Sequence, residues 1–367
     1  FNYCGGTFET IGGNNGMPGC KHVGASGSSG ATLVRLGNPG NDKYAYVFNI
    51  SSVDDFELSG LVIDCNATNL RSSPAVGAIG GTDCNNIMLS DLVVSNFATW
   101  TKGIECFPIV FGLSNDSSGN DHGNILIEDC LVTAPATGNQ DGLTCFDIAG
   151  GQYGVYTNAI INRCEVSHIT DPGVGFSYSH GFTAQKIENC TVDGCEMGVY
   201  YEPTATNEID GLLPAVYGTP IVIQNNTFTN VQAGVGVNYC HTNGTMGQVF
   251  VISNSFALLP DDESVAVQAK GGTASAFVVL NNMVELANQP PNDSETDCGF
   301  VFGGVLNLIV ISNSVNIHSS SDYFIIDDPT VATRALSANT DHNQALLQIS
   351  DLMGYCYPYM QQAIPSP

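Results

Sequence analysis

The chain has 367 residues, 35 acidic against nine basic, and a net charge of -26, yet only 12% of it is charged, about half the usual share. The anomaly is missing Lys and Arg, which leaves no electrostatic footprint for nucleic acid or anionic lipid and would repel a polyuronate unless calcium bridged the two. No apolar run reaches the length of a membrane span.

In chain order, residues 1–30 show no repeat and are expected to form an N-terminal cap. With neither a starting Met nor a signal peptide, Phe1 is expected to begin a processed chain. From 31 to 326 one pattern recurs. A column of small residues, Leu61, Leu92, Cys130, Cys164, Cys190, Asn226, Asn254, Asn282 and Asn313, returns every 26 to 38 residues. Each member follows an apolar residue by three positions and precedes another by two, as Ile187 and Val192 flank Cys190. A second column of glycines (Gly103, Gly142, Gly173, Gly198, Gly234, Gly299) trails the first by 8 to 12 residues, and by 17 at Gly299, where a turn should lead into the next short strand. Such repeats predict a solenoid with at least two strands per turn, each turn burying its apolar face against its copies. Alternation as in Ile125 to Ile127 and Ile221 to Ile223 puts every second side chain inward.

Parallel rungs about 4.8 Å apart stack like residues into ladders, so the Asn column is expected to hydrogen-bond side chain to side chain. Cys130, Cys164 and Cys190 are read as a buried thiol stack, with a neighbouring-rung disulfide the alternative. Thirteen cysteines without zinc-ligand spacing favour an oxidising compartment. Seven sequons (Asn49, Asn66, Asn115, Asn189, Asn225, Asn243, Asn292) are glycosylation candidates that fit secretion, although so Asn-rich a chain produces several by chance. Residues 327–367 are taken as a C-terminal cap, helical between Thr330 and Met353 from its apolar spacing.

The rungs of the form Ile223-Gln-Asn-Asn-Thr-Phe228, with Leu58-Ser-Gly-Leu-Val-Ile-Asp-Cys65, resemble the right-handed parallel β-helix proteins of the pectate-lyase-like superfamily. The fold so implied is all-β, a parallel β-helix with a short, partly helical C-terminal cap. That superfamily holds lyases, hydrolases, epimerases, tailspikes and adhesins, so the resemblance fixes no activity. Polygalacturonase motifs are absent in order: Asn339-Thr-Asp341 falls in the expected cap, and Ser179-His-Gly181 is the nearest His motif. The epimerase motif is reduced to Asp171-Pro-Gly-Val174. Only Arg163 and Lys186 stand in the middle rungs as lyase bases, and a polyuronate lyase is disfavoured.

The densest set of chemical side chains lies between Asp147 and His241. Placing the glycine-led strands in register brings Asp147, Tyr178, His180, Glu202 and Asn238 onto one stripe. Asp147 and Glu202 are then two rungs apart, about 10 Å, close to the roughly 6.5–9.5 Å between the carboxyls of an inverting glycosidase. Asp147, His180 and Glu202 are the catalytic candidates. Tyr178, Tyr200, Tyr201, Asn238 and His168 are the substrate-binding candidates, the tyrosines as flat surfaces for sugar rings. A solvated strand edge is the plainer account of such a stripe. No cofactor is expected. Calcium is the one candidate, at the carboxylate groups Asp54-Asp55, Asp261 to Glu263, Asp293 to Asp297 and Asp327-Asp328.

Two functions follow. The first is a secreted protein that acts on or binds an extracellular polysaccharide, with inverting hydrolysis as its enzyme form. The second is a non-catalytic structural or adhesive protein, a fibre, tailspike or surface-layer subunit that self-associates.

Overall fold

The computed structural model describes residues 2–3, 7–10, 14–15, 21–24, 31–35, 44–72, 74–102, 104–112, 122–137, 143–149, 156–169, 173–179, 182–202, 221–238, 245–260, 264–270, 273–287, 297–302, 307–318, 323–327, 333–337, 339–341 and 344–347. They form a right-handed parallel β-helix with three strands per rung, wound into sheets A, B and C of 12, 13 and 12 strands.

Hydrophobic alternation drives the winding. In sheet A the inward column runs Leu58, Leu89, Ile127, Ile161, Ile187, Ile223, Val251, Val279 and Val310, one residue per rung, none more than 1% exposed. Sheet B supplies Val166, Val192, Phe228 and Phe256 at its own inward column. These two columns meet the inner face of sheet C in one buried hydrophobic core.

One residue with positive φ turns the chain from sheet A into sheet B. Gly60, Asp91, Asp129, Arg163, Asn189, Asn225, Ser253, Asn281 and Ser312 all have φ between 51 and 67°, the left-handed region that Asn and Asp tolerate best. The next residue belongs to the small-residue column and points into the corner, where its polar atoms must be satisfied. From Asn226 onward they are. Asn226 Nδ2 donates to Asn254 Oδ1 (3.0 Å) and to the Ile187 carbonyl (3.1 Å), and Asn254 Oδ1 also accepts the Asn226 backbone N–H (2.9 Å). The same bonds repeat from Asn254 to Asn282 and from Asn282 to Asn313.

In the earlier rungs thiols take these places. Cys190 Sγ donates to the Ile161 carbonyl at 3.7 Å, where Asn226 uses its amide, and accepts the Cys164 N–H at 3.4 Å. All nine described cysteines are buried and free, so the disulfide alternative is corrected for them. These thiols pack and hydrogen-bond as side chains.

Glycine recurs in sheet C for a packing reason. A Cβ on Gly234 would lie 2.3 Å from the Phe256 ring and 2.5 Å from the Ala266 carbonyl, and one on Gly198 would meet Phe228 at 2.4 Å. The Phe228 and Phe256 rings, stacked at 5.0 Å, occupy that space.

Both ends depart from expectation. Asn2–Tyr3, Thr7–Thr10 and Asn14–Asn15 already pair into the three sheets. At the other end Thr333–Ser337 and Asn339–Asp341 are strands that pair with Asn307–Ile311 and Ser314–Asn316 where a helical cap was expected. Their alternation satisfies one more rung, and Thr340 opposite Ser314 sets Asn339 level with Asn313, one more position of the Asn column. Gln344–Leu347 then folds back antiparallel on Asn339–Asp341, which covers the open edge of sheet B. Residues 348–367 lie outside the described set.

Candidate functional site

The outer face of sheet C, unlike its inner face, carries chemistry. In Leu143–Ala149 the side chains of Phe146 and Ile148 enter the core, which turns Asp147 and Ala149 outward, and Thr144 lines the outer groove as well. The ladder register stacks Asp147 with Ser177 and Tyr200 in one outward column, and Thr144 with Val174 and Met197 in another. Glu105 and Phe107 arrive from the segment before Ile109–Gly112, and Glu196 from the position before Met197. These residues line one open groove of about 470 Å³ along the coil axis.

Its geometry is held from several sides. The Thr144 hydroxyl donates to Glu105 Oε1 at 2.7 Å and so fixes that carboxylate beside the Thr144 column. Asp147 stands three residues further along the strand, about 10 Å between backbones. It is 6% exposed although it lines the groove. Burial pushes its carboxyl up to about 7, a hydrogen bond from Ser177 opposes the rise, and the Glu105 charge adds to it. At Gly236 a Cβ would lie 2.6 Å from Met197 Sδ, so this glycine leaves the Met197 side chain room to lie on the sheet beyond Tyr200.

Of the expected site residues, Asp147 and Tyr200 share this groove. Tyr201 does not. Its alternation points inward and leaves it 1% exposed, so it is a core residue and offers no face to a sugar. His168 is an exposed turn residue with φ 58°, at the end of the sheet B strand Glu165–Ser167, and stands apart from the residues that line this groove. Tyr178 pairs with Ile148 and Tyr201, Glu202 with Ser179, and Asn238 with Lys270. The side chains of those three, and all of His180, lie outside the described residues.

Glu105, Thr144, Ser177, Glu196 and Met197 were not singled out from the sequence. The glycine alignment hid them: Leu143 pairs with Gly173, whereas Val174 opposite Met197 sets Gly175, not Gly173, level with Gly198. Glu105 lies where no alternation marks a strand, and only its Thr144 bond ties it to the site.

The calcium candidates are only partly visible. Asp54 and Asp55 each accept an amide, from Asn85 (2.9 Å) and Asn86 (2.8 Å), and end two surface amide rows. Asp297 is fully buried and accepts the Ser264 N–H at 3.1 Å. Residues 261–263, 293–296 and 328 lie outside the described set. Among the described residues no three His, Cys, Asp or Glu side chains are placed to hold one metal ion, and no helix is long and apolar enough to cross a membrane. Of the sequons, Asn49, Asn189 and Asn225 are exposed. Asn66 is 9% exposed, and its Oδ1 accepts from Asn69 at 2.6 Å. Asn115, Asn243 and Asn292 lie outside the described residues.

The fold and groove define a parallel β-helix with a carboxyl-lined surface cleft. No protein-family model and no curated protein matches the chain. Solved structures resemble it in winding. PfbA, a surface adhesin of Streptococcus pneumoniae, is 13% identical with a TM-score of 0.48 over 96% of this chain and 88% of its own. An exopolygalacturonase from Thermotoga maritima is 10% identical (TM-score 0.42, 94% and 88%), and the Azotobacter vinelandii mannuronan C-5 epimerase AlgE6 A-module 11% (TM-score 0.37, 94% and 91%). These are likenesses of fold.

Proposed function

We propose that the sheet C groove binds an extracellular polysaccharide and hydrolyses it with inversion, Asp147 serving as general acid and Glu105 as general base. The observation that carries this reading is a carboxyl buried in the wall of an open cleft, which burial pushes up to about 7, with a second carboxylate held by Thr144 in the same lining. A proton donor and an acceptor on opposite sides of a bound chain are what inverting glycoside hydrolysis needs. Thr144, which holds Glu105, stands about 10 Å of backbone from Asp147 along the strand.

In the reaction, Asp147 gives its proton to the glycosidic oxygen as the C–O bond breaks. Glu105 takes a proton from the water that attacks the anomeric carbon on the opposite face, and solvent returns both groups to their starting state. Tyr200 supplies the ring on which a neighbouring sugar rests. Glu105 replaces Glu202 as the partner in this proposal because Thr144 sets its position.

The test is product analysis on a glycan panel with the wild type and Asp147→Asn. Release of reducing ends of inverted configuration by the wild type alone supports the proposal. Equal release by both removes Asp147 from the chemistry.

A second reading, a stiff structural or adhesive subunit, draws on the continuous Asn ladder from Asn226 to Asn313. Electron microscopy of the native protein tests it: filaments or ordered arrays support it, and dispersed single rods count against it.

A further inference from the structure

The groove's charge pattern goes further than its catalytic pair. Among the described residues its lining holds three carboxyls, Glu105, Asp147 and Glu196, and no Lys, Arg or His. They are spread out. Glu105 precedes the rung of Ile109–Gly112 and Glu196 that of Met197–Glu202, three rungs later, which is about 14 Å along the axis. Cys106 opposite Leu143, Leu143 opposite Gly173, and Val174 opposite Met197 put the two glutamates within one residue of the same line.

The carboxyls differ in what they are bound to. Glu105 is held by Thr144 and Asp147 by Ser177. Glu196 is exposed at the groove's far end, and its carboxylate has no hydrogen-bond or ion-pair partner among the described residues. Its backbone is fixed, since its carbonyl accepts the N–H groups of both Gln232 and Ala233. A point cation does not account for this arrangement, because no three such groups converge on one position. A ligand that spreads its positive charge along a chain does. Tyr200 and Met197 beside Glu196 give that chain an apolar surface for a ring, and a protonated amine on the ring meets the carboxylate.

We propose that the groove selects a glycan built of amino sugars with free, protonated amines, and that Glu196 is the specificity-determining residue of a subsite about two rungs from Asp147. This rests on the groove being the glycan site, and it adds the class of glycan. Glu196 is a binding residue only, because it lies too far along the axis to reach the bond between Asp147 and Glu105.

Calorimetric titration of the full chain at pH 6 with a glucosamine oligomer and with its fully N-acetylated counterpart tests the proposal without requiring turnover. At low salt the amine oligomer is expected to bind roughly tenfold tighter. The preference should shrink at about 1 M salt, where the Debye length falls to about 3 Å. Glu196→Gln, an isosteric change at an exposed position, should remove most of the preference and leave the N-acetylated oligomer's affinity unchanged. Equal or tighter binding of the N-acetylated oligomer, or a preference that Glu196→Gln leaves intact, overturns the proposal. Binding with the expected preference but without cleavage supports it while rejecting the catalytic roles of Asp147 and Glu105. Binding of neither oligomer overturns it together with the groove's reading as a glycan site.

Discussion

The rungs around Asp147 and those from Asn226 to Asn313 are wound on the same coil, and they differ in how completely their polar groups are satisfied. In the late rungs every ladder Asn donates to a carbonyl and, up to Asn282, to the next side chain, and each Oδ1 after the first accepts two donors. In the middle rungs the same corner is filled by thiols with long bonds, and the outer face of sheet C buries a carboxyl that is costly to ionise. The late rungs are built to hold register, whereas the middle rungs give up stability where a ligand can reach. An unfavourable group is kept in a fold only where the surrounding structure over-determines it, and here the Asn ladder of the following rungs is part of that frame.

This contrast can be broken at several points. The largest effect is expected at Asp147: its replacement by Asn should lower the rate of glycan cleavage by roughly 10³-fold, with the unfolding midpoint unchanged or raised. Steady-state kinetics and denaturant titration check the two halves. Next comes Asn254→Ala, which strands the Asn226 N–H in the core and leaves the Ile223 carbonyl unpaired. A loss of about 3 kcal/mol is expected, against about 1 kcal/mol for Cys164→Ala. Similar losses for the two would abolish the distinction between the ladders.

Stability should also depend on pH through Asp147. The folded carboxyl holds its proton to about pH 7, whereas an ordinary Asp loses it near 3.8. Between these values folding takes up a proton, so stability falls as pH rises from about 4 to about 7 and levels off above. Thermal melts across that window should slope downward for the wild type and less steeply for Asp147→Asn. The smallest expected effect is at Tyr200: its change to Ala should weaken oligosaccharide binding about tenfold and leave the melting temperature within a degree or two.

The coil was legible because its signal is repetition. Inward residues such as Ile187 and Ile223 recur at a fixed distance from the ladder residue, and core burial demands that they do. Asp147 was picked out because the expected register set it on a stripe of chemical side chains, and it lines the groove. Its companions were not. Tyr200 and Tyr201 are neighbours in sequence with opposite fates, and only the register decides which faces water. Glu105 reaches the site through a segment without alternation, and Glu196 stands next to a Met whose place depends on a glycine in the following rung. The terminal rung around Asn339 read as helix because apolar spacing over short segments fits both periods; the pairing with Ser314 is a long-range fact.

The account's central claim is that Asp147 works as an acid in a glycan-binding groove, and the pH profile of kcat/KM on a cleaved glycan tests it most directly. Activity should fall above about pH 7 as the free enzyme's Asp147 loses its proton, with Asp147→Asn inactive throughout. Activity that persists undiminished to pH 9, or an active Asp147→Asn protein, would contradict it.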